Sequence, residues 1–424
     1  MKLKAGALHY VLVVAVIIAI IIFAFISLVY LQQKMTIKHG FAKETIANAQ
    51  MGFDYLKGNE VPYDTPTTLD FFENKMAITT LTKKHWGIFD IAFVKSKIKN
   101  ESFQKIGLLG TQNSKRDALY LQEKNTSLVL VGHTKIIGNV SLPKQGVKSG
   151  NISGTSYYGK QLIYGNTKTS TTSLPEINNI AFVKDFHKNY HKNTLENFEL
   201  EAGLKRHQSF TENTLLYENT NSIRLANVTL SGNILIVSKT AILISPSAVL
   251  EDVILMAPII TIQSNVKGNF QAIATKKIGI NSNCLLRYPT ALMVFEAAVS
   301  LQPPSRGNQY EQQPKEENQI FIAKNSQVKG VLLFDSQSKS NPYNSQIKID
   351  KKAIVTGEVY CTKNVALLGR VFGTVYTHSF IVKKAGGIYS NHIYDGGINS
   401  KKLPTQYAGL QINQTANAVA KWVD

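Results

Sequence analysis

The chain has 424 residues, with 47 lysines and arginines against 28 acidic residues (formal charge +19), enough length for one large solenoid or two to three ordinary domains. The basic residues are scattered, with no run of five or six and no RNA- or DNA-binding motif, so the charge suits anionic lipid headgroups or acidic glycans and gives no reason to expect nucleic acid. Two cysteines, no CxxC and no Cys/His cluster leave no candidate for structural zinc.

The first element is an uncharged run from Tyr10 to Leu31, rich in Val, Ile and Phe. At ~1.5 Å per residue it spans ~33 Å, enough for a bilayer core. The Leu31-Gln32-Gln33-Lys34 sequence that follows has no small-x-small cleavage pattern, so the run reads as a retained signal-anchor (1–31) contacting membrane lipid. Lys2 and Lys4 before it nearly balance Lys34, Lys38 and Lys43 after it, and the leader is too short to form a domain. The expected placement is a bacterial inner membrane, single pass, with the bulk of the chain in the periplasm or otherwise outside the cytoplasm.

Past the anchor, Ile37, Phe41, Ile46, Ala49, Phe53 and Leu56 recur at three- to five-residue steps, which predicts that the helix continues into water until Gly58, Pro62 and Pro66 stop it. Trp86–Val94 and Phe103–Leu109 then read as antiparallel strands, giving a membrane-proximal region over 32–110. A short basic leader, a long apolar helix running into an amphipathic one and a small antiparallel sheet together resemble the type IV pilins and pseudopilins. Gly6 before Ala7 falls where that family is cleaved, whereas Val11 stands where the family carries Glu. The resemblance covers about residues 1–110 and implies an assembly subunit. A signal-anchor followed by a β domain is the alternative.

Residues 111–222 read as a first solenoid piece, with strands at Leu128–Val131, Ile136–Leu142 and Gln161–Tyr164 and a helical insertion from 181. There His187 and His191 stand at i, i+4, without the Glu of an HExxH site, so a solvated helix face is expected and no metal. The strongest signal follows, in the main segment 223–385. Ile242, Ile260 and Ile278 are spaced by 18, as are Ile244, Ile262 and Ile280, and Ser264-Asn265 and Ser282-Asn283 keep the same ruler. A period of 18 is about one coil of a β-solenoid, with these isoleucines as its stacked core. Hydrophobic-x-Gly-x-hydrophobic steps centred on Gly232, Gly268, Gly357 and Gly373 place a glycine, with positive φ, at the corners. A β-sandwich with glycine-rich hairpins is the alternative. These coils are similar to the bactofilin family of polymer-forming scaffolds, over about 223–382. Gln302–Asn318, with three prolines, reads as a loop, and 386–424 as a C-terminal cap ending in a short helix at Ala416–Val423.

The fold class is thus mainly β: an N-terminal transmembrane helix, a small antiparallel β region, then a right-handed parallel β-helix. Catalysis on such coils needs carboxylates stacked on one face. One period from Asp252 stand Phe270 and Ile234, and one period from Glu251 stand Asn269 and Asn233, so no carboxylate stacks on either; Asp335, Asp350 and Glu358 read as solvated strand ends or turns. His378 and the two cysteines, Cys284 and Cys361, read as structural. The expectation is no enzyme, no catalytic residues and no cofactor, but a membrane-anchored envelope scaffold or assembly subunit presenting its solenoid to protein partners or further copies of itself. A membrane-tethered β-helix that binds or cleaves polysaccharide is the alternative.

Overall fold

The computed structural model describes residues 5–71, 77–113, 116–190, 195–296, 319–337, 343–412 and 416–424. The chain divides into two compact units, Met1–Lys83 with Ala92–Lys105, and Lys84–Ile91 with Ile106–Asp424.

The first unit is built on one 54-residue helix, Ala5–Gly58. It is long and apolar enough to cross a membrane, and from Leu8 to Leu31 its large apolar side chains are exposed, Ile21 by 48% and Tyr10 by 78%. Farther along, one face turns inward through Thr45, Asn48, Ala49, Phe53 and Leu56, spaced as a helix stripe requires. The expected stripe differs from this one: Ile37 and Ile46 are exposed, because the buried face passes through the polar Thr45 and Asn48 instead. Gly52 lies on the buried face for lack of room. A Cβ there would stand 2.5 Å from Val94 Cγ1 and 2.9 Å from Leu81 Cδ2, so only glycine lets the helix approach the strands so closely. Asn59 ends the helix, its amide and its side chain both donating to Tyr55 O. The unit's antiparallel strands include Thr67–Leu69, which pairs with Thr79–Leu81 of strand Ala77–Trp86, and the Ala92–Ile98 part of strand Phe89–Ile98. In the second unit Asn417–Val423 is a strand and not the expected helix. Its β-branched and aromatic residues pair antiparallel with Ile106–Thr111, which supplies hydrogen bonds that a seven-residue helix would have to find alone.

The second unit is organised by a parallel sheet. One ladder runs Ile223–Ile242–Ile260–Ile278–Ile320–Ile347–Val365–Phe380. A second, two residues along, runs Leu225–Ile244–Ile262–Ile280–Ile322–Ile349–Leu367. Every member is buried, and a fully buried side chain of this kind contributes about 1.5–3 kcal/mol relative to exposure. Between layers the chain turns at Asn227, Asn265, Asn283 and Asn325, all with left-handed φ of 55–69°, a conformation asparagine tolerates better than other side chains. The parallel pairing excludes an antiparallel sandwich. The step from Ile278 to Ile320 carries the predicted loop, which lies outside the described residues.

Layer order departs from chain order. The stack begins at Leu195–Asn197 and Lys205–Gln208, which pair with Thr214–Leu216 and Thr229–Gly232. It passes through strand Arg370–Lys384, whose Val375–Thr377 accept Leu119–Leu121 as the next layer. Val140–Leu142 and Thr167–Thr169 follow, and beside them Gly397–Asn399, Lys135–Ile137 and Ile163–Tyr164. Residues 119–169 come first along the chain but stack last. The connector after Thr169 therefore travels back along the layers. Thr171 O accepts from Glu123 N, Pro175 O from Tyr360 Oη, and Lys184 on helix Ile180–Asn189 pairs with Asp335. Of the two histidines noted on this helix, His191 and the side chain of His187 lie outside what is described.

Candidate functional site

Side chains alternate along a strand, so the residues between the core ladders point outward. On one stretch of the sheet they form two further ladders, Val237–Met256–Ile273–Met293–Leu333–Tyr360–Tyr376 and Leu235–Ile254–Gln271–Ala291–Val331–Glu358–Thr374. These are buried as well. Three segments of the same unit meet this face: the turn Lys84–Ile91, the connector helix, and a strap over residues 404–412.

Two polar members of the outward ladders, Gln271 and Glu358, hold the turn and the strap. Gln271 accepts from Ile88 N at 2.9 Å and donates to Trp86 O at 2.8 Å, which clamps both sides of Gly87. That glycine has φ +65°, and a Cβ on it would fall 2.2 Å from Gln271 Oε1. Asn179, just before the connector helix, donates to Ile88 O at 2.8 Å. Next to this turn His85 Nδ1 lies 2.9 Å from the buried Asp90, which also accepts from Gln411 at 2.8 Å, while the His85 ring stacks on Phe182 at 3.6 Å.

Glu358 holds the strap. Its carboxylate meets Arg116 Nη1 at 3.2 Å and accepts from Leu410 N at 2.7 Å. Arg116 in turn donates to Thr111 O and Tyr407 O and lies under the Tyr407 ring, 4.8 Å from its centroid. Tyr407 donates to Gly330 O, and Tyr288 exchanges hydrogen bonds with Ala408 O and N. Burial pushes the Glu358 carboxyl up, against the opposing pull of the Arg116 guanidinium and the Leu410 amide. Burial also raises Tyr288, Tyr360, Tyr376 and Tyr407. Glu358 therefore corrects the sequence reading. It sits in the middle of strand Ile354–Leu367 and is 3% exposed, because the strap from 404–412 covers it. Asp335 is likewise buried, with Lys184 as its partner.

The corner glycines divide into two kinds. Gly357 and Gly373, with Gly330, form a ladder at φ +142 to +150°, and a Cβ on either of the first two would lie 1.9 Å from the carbonyl of the layer before. Gly232, at φ +87°, faces Gln208 O at 2.0 Å in the same way. Gly268 does not have the positive φ expected of it. Its constraint is a close approach to Leu250 O, 2.7 Å from a Cβ, while Asn265 just before it makes the left-handed turn. Cys284 and Cys361 are free and buried.

At the two ends of the stack the pairing stops among the described residues. One end shows the exposed Lys205, Arg206 and His207, the other the exposed Thr167, Lys168 and Thr169. Such edges carry unpaired backbone donors and acceptors that another strand can meet. The polar groups on the outward face, by contrast, are engaged in holding the protein's own segments.

No family model matches the chain, and no curated protein matches it. Among solved structures it is similar to the competence-associated pilin ComZ from Thermus thermophilus, with 10% identity over 90% of this chain and 96% of that one and a TM-score of 0.22. A superposition that loose does not establish a common fold, so the functional reading rests on the residues of this chain.

Proposed function

We propose that this chain is a non-catalytic assembly subunit, pilin-like in plan. In this reading it is anchored in a bacterial inner membrane by one helix and carries a right-handed parallel β-helix outside the cytoplasm. The observation that carries the reading is the helix Ala5–Gly58, apolar and exposed from Leu8 to Leu31 and packed on its own sheet beyond Thr45. A continuous row of exposed Ile, Val and Phe is stable only against lipid or other apolar helices. The partners are membrane lipid and, through the open edges of the stack, proteins or further copies of the chain. The buried ladders make the stack a rigid support, and the Gln271 and Glu358 clamps keep its covering segments in place.

The test is fractionation followed by cross-linking. Full-length chain is expected to stay with membranes through an alkaline carbonate wash, and a chain lacking residues 1–31 to be released. Lysine cross-linking in intact membranes should give a ladder of multiples or a defined heteromer. Release of the full-length chain by carbonate would refute the anchor, and an exclusively monomeric cross-linking pattern would refute the assembly role.

A further inference from the structure

We propose that the basic turn at Lys97–Lys99, together with the lysines on the adjoining helix, is a binding surface for anionic phospholipid headgroups. The inference rests on the membrane anchoring proposed above and adds the class of lipid. The unbroken apolar run ends at Leu31, and the helix continues to Gly58. Heights beyond Leu31 therefore follow from the helical rise: about 5 Å at Lys34, about 10 Å at Lys38 and about 15 Å at Phe41. The headgroup layer occupies about 5–7 Å of this on each side of a bilayer, and the Debye length at physiological salt adds about 8 Å. Lysines between Lys34 and the level of Phe41 are therefore close enough to feel a charged membrane surface.

Two contacts bring the turn to that level. Lys38 Nζ lies 3.3 Å from Glu101 Oε1, and Lys99 Nζ lies 4.9 Å from the centroid of the Phe41 ring. Along strand Phe89–Ile98, Lys95 and Lys97 are exposed while Val94, Ser96 and Ile98 are buried, so the two share one face, and the exposed Lys99 follows them in the turn. At this level Lys34, Lys38, Lys97 and Lys99 outnumber the carboxylate of Glu101. The chain has no arginine before Arg116. Flexible ammonium groups on an open surface, without the planar fork of arginine or a closed pocket, suit a diffuse sheet of phosphate charge better than a single anion.

The test uses the full chain carrying Asn100→Cys, an exposed position at the tip of the turn, labelled with a fluorophore while Cys284 and Cys361 stay buried. The protein is reconstituted in phosphatidylcholine vesicles with and without phosphatidylglycerol, both containing a headgroup-nitroxide lipid as quencher. Quenching is expected to be roughly twofold or more stronger in the anionic vesicles at low salt. It should return to the neutral-vesicle level at high salt and in a Lys97→Gln/Lys99→Gln background. Equal quenching in both vesicle types, with the protein floating in both, would overturn the headgroup surface and leave the anchor standing. Failure to float with either vesicle type would instead overturn the anchor.

Discussion

Replacing Gly357 by alanine tests whether the stack depends on its glycine corner. The residue sits at φ +144°, and a Cβ there would lie 1.9 Å from Gly330 O. The backbone conformation alone costs an L-residue of the order of 1–3 kcal/mol. The overlap adds to this, because Gly330 belongs to the paired layer and its backbone is fixed by the ladder on either side. Together the two effects are expected to cost about 3–5 kcal/mol, the range reached by the most damaging single substitutions. Gly279 is the control: it also lies inside a strand, Lys267–Ile280, but without left-handed φ and with nothing within 4 Å of its Cβ. Gly279→Ala should be neutral or stabilising by up to about 1 kcal/mol. Thermal unfolding of the full chain in detergent reads both, and Gly357→Ala should melt about 6 °C or more below the parent. A Gly357→Ala protein melting with the parent, or a Gly279→Ala protein falling as far, would refute the reasoning.

Three further outcomes follow from the buried groups. Arg116→Met removes the cation that opposes the burial of Glu358, so the carboxyl rises further above its ordinary value of 4.5. An acid raised in the folded state costs stability as pH rises. Denaturation midpoints of this variant should therefore drop more steeply than the parent's as pH rises above the ordinary carboxyl value of 4.5, and adding Glu358→Gln should remove the extra slope. His378, 2.5 Å from Gln122 Oε1, is pulled down to about 4 from 6.5, first by burial and then by Lys124 and Lys363. Its neutral form is the one the fold accepts, so stability should be lost as pH falls from 6.5 towards 4, and His378→Gln should flatten that loss in midpoints measured across the window. Cys284 and Cys361 are both buried, and burial pushes the Cys361 thiol up to about 12. Neither should react with maleimide in the native chain at mildly alkaline pH, while both should react in denaturant, as mass spectrometry will show.

The isoleucine ladder around 242–280 is legible in the sequence because each layer pairs with the next one along the chain, so a spatial repeat is also a sequence period. The apolar character of the helix is legible for a similar reason: it is set locally, residue by residue. The left-handed asparagines could have been found from the same 18-residue ruler, since Asn265 and Asn283 fall on it. Glu358 could not, because a strand residue that alternates outward has the same pattern whether water or a distant strap covers it.

The sequence by itself determined the elements whose partners are near in the chain: the long helix, the turns and the layers between 223 and 280. Only the tertiary structure decided which layers end the stack and what covers its outer face. Leu119–Leu121 pairs with Val375–Thr377 across more than two hundred residues, and Leu410 meets Glu358 only because the strap returns over the sheet. The physical reason is that parallel pairing needs a matching edge and a buried carboxylate needs a donor, and neither requirement leaves a period in the chain when the partner is remote.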